Sequence, residues 1–232
     1  GRRVSRLGAL LMFVVAPAAL TTPAAAEPST NPFDEAVGGK LLGTTGKAVY
    51  TRVPGVKPPP NVEAAAWLVA DLDSGEVLAA KNAHRRLRPA STLKMLTAAT
   101  LLPRLDKNAV YTATAGDQNI EGSRVGIEAG SAYTIDQLFY GLFLPSGNDA
   151  AHALASASGG VKATVAMMNT EAQRLGAFDT HAVNPSGLDE PGQLSSAYDL
   201  ALIAREGMAN PDFVRYATTP TYDFPGRKGK TF

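Results

Sequence analysis

Apolar positions divide the chain into stretches with different periods. Leu7 to Leu20 is an almost unbroken apolar run of 14 residues, with Arg2, Arg3 and Arg6 before it and Ala24-Ala25-Ala26 after it. From residue 27 to 61 the pattern lapses into Pro, Gly and Thr, closing on Pro58-Pro59-Pro60. Ala65 to Leu72 (AAWLVADL) and Glu76 to Ala80 (EVLAA) are short apolar runs joined by Asp73-Ser74-Gly75, and they predict a β-hairpin. Ser91 to Leu102 predicts a helix bounded by Pro89 and Pro103. Val110 to Ala115 predicts a strand. Thr134 to Leu144, Asp149 to Ala157, Val161 to Leu175 and Ser196 to Met208 predict further helices, and Thr134 and Gln137 have the spacing of a capping box. Strands first and helices afterwards predict an α+β arrangement: an antiparallel sheet flanked by helices, with an inserted helical block and later strands beyond Phe232.

The ends of the chain read differently from its middle. A basic start, an apolar run and an A-x-A site before Glu27 form the plan of a secretory leader. A membrane span needs about 20 apolar residues, and Pro17 interrupts this shorter run. The expected organisation is therefore a leader over 1–26, an extended and mostly disordered linker over 27–61, and one folded unit over 62–232, incomplete at its C-terminus. The full chain of 232 residues carries a formal charge of +1, which becomes −2 once the leader is set aside. That near-neutral balance gives no reason to expect nucleic acid as a partner. The absence of Cys excludes a disulfide framework, a thiol nucleophile and a Cys-ligated zinc site. His84, His152 and His181 show no metal-ligand spacing, so no metal is expected. An exported chain without Cys suits a bacterial envelope.

Two local patterns carry candidate chemistry. In Pro89-Ala90-Ser91-Thr92-Leu93-Lys94, Ser91 and Lys94 are three residues apart at a predicted helix start, which puts them on one face. A hydroxyl there can hand its proton to a neutral amine. The amine needs burial or a neighbouring cation to lose its own proton near neutral pH. Alone, the pattern is equally that of a capping Ser and a solvated Lys. Ser146-Gly147-Asn148 follows 55 residues after Ser91, between two predicted helices, where a loop can project a hydroxyl and an amide into a cleft. Alone, those residues are a plain turn.

Together, in order and with their flanks, these segments resemble the serine-type D-alanyl-D-alanine carboxypeptidases, low-molecular-weight penicillin-binding proteins of peptidase family S11. The resemblance runs from about Ala64 to Phe232 through WLVADLDSGEVLAAKNAHRRLRPASTLKMLTA, SRVGIEAGSAYTIDQLFYGLFLPSGNDAAHALA and NPSGLDEPGQLSSAYDLALIAREG. It implies a β-lactamase/transpeptidase-like fold. It implies Ser91 as nucleophile, Lys94 as general base, Ser146 as proton relay and Asn148 as a substrate-binding amide. The implied substrate is a peptidoglycan stem peptide ending in D-Ala-D-Ala, with β-lactam antibiotics as acylating mimics and no cofactor. The family's third motif, Lys-Thr-Gly, is expected beyond Phe232. Gly229-Lys230-Thr231 is read as a coincidence, and Phe224 stands where a phosphate loop needs Gly. Location in the periplasm, the envelope or outside the cell follows, with membrane association through a segment past Phe232 as in many relatives. A class A β-lactamase, a transpeptidase and a non-catalytic wall-peptide binder are the alternatives on the same fold. A class A enzyme would need an E-x-x-L-N segment, and no Glu here fits one.

Overall fold

The computed structural model describes residues 10–15, 31–49, 59–226 and 229–232. The expected leader therefore lies outside the described residues except at Leu10–Val15, where the backbone forms strand β1. Strand β2 is Lys47–Val49, and the predicted hairpin is β3 (Ala66–Asp71) and β4 (Val77–Lys81). These four make one antiparallel sheet in the order β1-β3-β4-β2. Side chains alternate across β3. Ala66 and Leu68 pack with Leu42, Ala80 and Ala197 on one face, while Trp67 packs with Ala64 and Ala79 on the other. At the hairpin turn, Asp71 Oδ1 accepts from Ser74 N and Ser74 Oγ, both at 2.7 Å, which explains why Asp-x-x-Ser closes it so tightly.

The helices follow. A single 3-10 turn over Ala90–Leu93 runs into α1 (Lys94–Leu101), so the predicted helix is present with a tighter first turn. Next come β5 (Val110–Thr112), a short α2 (Ala115–Gln118), β6 (Ala132–Thr134) and α3 (Ile135–Phe143). β5 and β6 pair antiparallel. Thr134 caps α3 through the expected box: Gln137 N donates to Thr134 Oγ1 at 3.1 Å and Thr134 N donates to Gln137 Oε1 at 2.9 Å. Helices α4 (Asn148–Ala157), α5 (Val161–Arg174) and α6 (Ala197–Met208) match their predicted spans to within a residue or two. α7 (Pro211–Thr218) was not expected, although Asn210 caps it and Pro211 opens it, a start signal readable in the sequence. A final hairpin joins β7 (Asp223–Phe224) and β8 (Lys230–Thr231).

Two apolar clusters fix the helices. Leu138, Phe139 and Leu142 of α3 meet Leu101 of α1, Ala150 and Leu154 of α4, and Phe213 and Tyr216 of α7. Leu93 and Leu96 meet Met168 and Ala172 of α5 and Ile203 of α6. α6 also reaches the sheet through Ala197, so it couples the helical block to the hairpin.

The structure departs from the expected linker. Residues 31–49 are docked on the body, with Leu42 2% and Ala48 5% exposed. β2 extends the sheet, and the Val37 carbonyl lies 2.9 Å from His84 Nε2. Pro and Gly content concealed two buried apolar residues: Leu42 packs with Ala66, Leu68 and Ala80, and Ala48 pairs with Ala80 across the sheet.

Candidate active site

The site is assembled at the start of α1. Pro89 precedes the 3-10 turn, and Ala90 adopts a left-handed φ of 48° before Ser91. The Ser91 side chain is exposed, whereas Lys94, three residues on, is 5% exposed. Lys94 Nζ lies 3.0 Å from Ser91 Oγ, 2.7 Å from Asn148 Oδ1 and 2.7 Å from the Ser186 carbonyl oxygen. Three oxygens therefore surround one amine. Burial lowers its pKa from 10.5 to about 8, against the opposing pull of the Asp149 charge.

Asn148 begins α4 and is 4% exposed. Its Nδ2 donates to the Glu121 carbonyl at 2.7 Å and its backbone N to the Ser123 carbonyl at 2.7 Å. This fixes which end of the amide faces Lys94. Ser146 has a left-handed φ of 56° and lines a cavity of about 120 Å³ with Ser91, Lys94, Met95, Leu142 and Phe143. The structure thus brings Ser91, Lys94 and Asn148 into hydrogen-bond contact, and Ser146 into the same cavity. Of the non-glycine residues described with positive φ, two flank this cavity, which is where backbone strain tends to be stored.

Sequence reasoning gave no role to the segment from Val183 to Gln193, yet it supplies one of the amine's partners. Asn184 Oδ1 accepts from Ser186 N at 3.1 Å and Gly187 N at 2.8 Å, folding the segment into a tight loop. Gln193 Oε1 accepts from Val183 N and Asn184 N, both at 3.0 Å, and the Pro185 carbonyl accepts from Thr97 Oγ1 at 2.7 Å. Gly187 has φ 86°, and a Cβ there would stand 1.9 Å from the Ala90 carbonyl oxygen. Only glycine lets this loop approach the backbone behind Ser91 so closely. Asp149 was also passed over. Its one sequence signal is an acid in the first turn of a predicted helix.

Lys230 and Thr231 lie in the β7–β8 hairpin, and Phe232 lines an apolar groove with Met95, Phe143, Phe213 and Tyr216. Among the described residues, one grouping has donor atoms close enough to share a metal ion: His84, Asp179 and Asp199, all within 4.8 Å of one another. Both ring nitrogens of His84 already face acceptors, Asp179 Oδ2 at 2.7 Å and the Val37 carbonyl at 2.9 Å.

The sequence model of the D-alanyl-D-alanine carboxypeptidases, peptidase family S11, matches residues 53–231. The chain belongs to this family. A D-alanyl-D-alanine carboxypeptidase of Mycobacterium tuberculosis (DacB2) is 47% identical over 178 residues, covering 76% of this chain and 61% of that protein. The chain thus spans less than two thirds of this relative's length. A crystal structure of a D-alanyl-D-alanine carboxypeptidase from the same organism superposes with a TM-score of 0.75 at 44% identity, covering 79% of this chain and 70% of the other. Penicillin binding protein 6B of Escherichia coli gives 0.71 at 30% identity, with 80% and 62% covered. The S11 family's α+β, transpeptidase-like fold is therefore the fold of this chain. Among the described residues, no helix is long and apolar enough to cross a membrane.

Proposed function

We propose that the chain carries the nucleophile half of a serine-type D-Ala-D-Ala carboxypeptidase that removes the terminal D-Ala from peptidoglycan stem peptides. The observation that carries this reading is the set of three oxygens around Lys94 Nζ. The Asn148 and Ser186 oxygens belong to carbonyl groups and can only accept. When the amine is neutral, they hold its two remaining N–H groups, and its lone pair faces the one partner able to donate, the Ser91 hydroxyl. With a pKa of about 8, on the order of a tenth of the amines are neutral at pH 7. That fraction is poised for general-base work.

Ser91 Oγ bonds to the carbonyl carbon of the D-Ala-D-Ala peptide as its proton passes to Lys94. The carbonyl electrons move onto oxygen, and the Ser91 backbone N–H is the donor this reading assigns to it. Collapse breaks the C–N bond. The proton travels from Lys94 through Ser146 to the leaving amine, and free D-Ala departs. Water then bonds to the acyl carbon as one of its protons passes to Lys94. The ester C–O bond breaks, Ser91 Oγ takes that proton back from Lys94, and the shortened stem leaves with a new carboxyl group. Asn148 braces the amine through Oδ1. The substrate contact expected of it is not part of this geometry, because the residue is buried and the two ends of its amide are engaged by Lys94 and the Glu121 carbonyl. A β-lactam ring offers an equivalent strained amide, so it acylates Ser91 and leaves slowly.

The same reading takes residues 1–26 as an export leader, so that strand β1 leaves the edge of the sheet with it, and puts the enzyme in the cell envelope or beyond it. Residues 62–232 form the catalytic portion, with 31–49 packed against it. The test is labelling of the full-length protein by a fluorescent penicillin, together with D-Ala release from a D-Ala-D-Ala peptide. Wild type labels and releases D-Ala, and Ser91→Ala does neither. Persistent labelling of Ser91→Ala overturns the assignment.

A further inference from the structure

Asp149 is a buried acid next to Asn148 that the reaction above does not use. It is 0% exposed and follows Asn148 in the first turn of α4. Its Oδ1 accepts from Val125 N and Ala150 N, both at 2.9 Å. Its Oδ2 accepts from Gly126 N at 2.8 Å and Ile127 N at 3.1 Å. Four backbone N–H groups, and no cationic side chain, thus hold one carboxylate.

Three of those donors lie in 125–127, a stretch with no helix or strand of its own. Its backbone is pinned by Asp149 instead. The same segment provides the Glu121 and Ser123 carbonyls that hold Asn148 from its other side. A mechanical line therefore runs from the Asp149 carboxylate through residues 121–127 to the Asn148 amide, and from there to Lys94. The acid also acts through space. Its charge favours the protonated amine and opposes the effect of burial. Other ionisable groups around α4 are already committed. Asp117 and His152 bind each other at 2.7 Å, Asp136 of α3 binds Arg215 at 2.7 Å, and Glu171 of α5 binds Arg174 at 2.7 Å. Glu121 and Arg124 are exposed to solvent.

We propose that Asp149 is a positioning residue for the Ser91–Lys94 pair, acting on Lys94 through residues 121–127 and Asn148 and through its own buried negative charge. The inference rests on Lys94 being the base of the proposed reaction. It is tested by the pH dependence of penicillin acylation in the full-length protein. Asp149→Asn removes the charge and sets an amide N–H against backbone N–H groups. The acidic limb of its rate profile moves down by about one pH unit, and the plateau falls about tenfold. Asp149→Glu keeps the charge in a side chain too long for the four donors, so its plateau falls while its limb stays with wild type. If Asp149→Asn does not fold, Asp149→Ser is the neutral variant to use, because its small hydroxyl can accept a backbone N–H without forcing a second donor against the others. A limb that stays at the wild-type pH in a folded neutral variant overturns the proposal, because a purely structural role lowers the plateau alone. Lys94→Ala, measured alongside, separates the two ideas. Near-normal acylation in it removes the base reading and the proposal together. Loss of acylation in it, with an unmoved limb in the neutral Asp149 variant, removes only the role of Asp149.

Discussion

Two buried polar clusters in this molecule resolve the same problem in opposite ways. At Lys94 an amine is enclosed by three oxygens, of which the Ser91 hydroxyl alone can turn round and donate. At His84 an imidazole lies between a carboxylate, Asp179, and a carbonyl, Val37, and neither can donate. The ring must therefore carry both protons to keep both bonds. Burial alone pulls the His84 pKa down, but the hydrogen bond and charge of Asp179 outweigh it and raise the ring above its ordinary 6.5. Neighbouring Asp199 is pushed up to about 7 by burial, despite the hydroxyl of Thr180 at 2.7 Å. Burial is common to both clusters. What separates a reactive group from a fastening one is whether a partner can reverse its hydrogen bond when the proton leaves.

The sharpest break between the clusters is in catalysis. Lys94→Ala should slow acylation about a thousandfold, whereas His84→Ala should leave the rate within about twofold while loosening residues 31–43. Penicillin-labelling kinetics and limited proteolysis read the two effects, and a catalytic loss in His84→Ala would erase the distinction.

A smaller effect concerns the loop that delivers the Ser186 carbonyl. Gly187→Ala drives a Cβ against the Ala90 carbonyl at 1.9 Å, and should cost about 1–3 kcal/mol of stability, with slower acylation. Denaturant melts and labelling rates check it, and a variant with wild-type values for both would show that the loop can retreat freely.

The last effect is thermodynamic, is read only against pH, and has opposite signs in the two places. Lys94 is held at about 8 instead of 10.5, so the folded chain binds fewer protons between these values and gains stability as pH rises from 8 to 10.5. Asp199, raised from 3.8 to about 7, keeps an extra proton when folded, so stability falls as pH rises through that window. His84 adds to this fall: its contribution is whole below pH 6.5 and is lost as pH passes its raised folded value. Midpoints of denaturation measured against pH should show Asp199→Asn flattening the acid side and Lys94→Met flattening the alkaline side. The same change from both variants would mean that the clusters do not titrate separately.

Much of the fold is legible because apolar periodicity and turn chemistry agree in the same places. The hairpin around Asp73-Ser74-Gly75 and the capped helix after Thr134 are both of this kind. Ser91 and Lys94 could be paired from their spacing, since a helix turn sets the distance. The carbonyl of Ser186 could not, because a backbone oxygen leaves no letter in the sequence and 92 residues separate it from Lys94. His84 and Asp179 are 95 residues apart, so their contact follows from the tertiary fold. The docking of residues 31–49 was hidden for a different reason: Leu42 and Ala48 are too few to register as a pattern, yet each fills a place the sheet leaves open.

The Ser186 carbonyl also bears on how such a site can change by mutation. A main-chain oxygen is supplied by every amino acid, so replacing residue 186 does not delete the contact with the amine. The genetic target lies instead in the residues that aim it: Asn184 and Gln193, which fold the loop, and Gly187, which lets it come close. One of the amine's three restraints is thereby shielded from direct substitution and exposed only through its scaffold. Mutation can alter it only by shifting a loop.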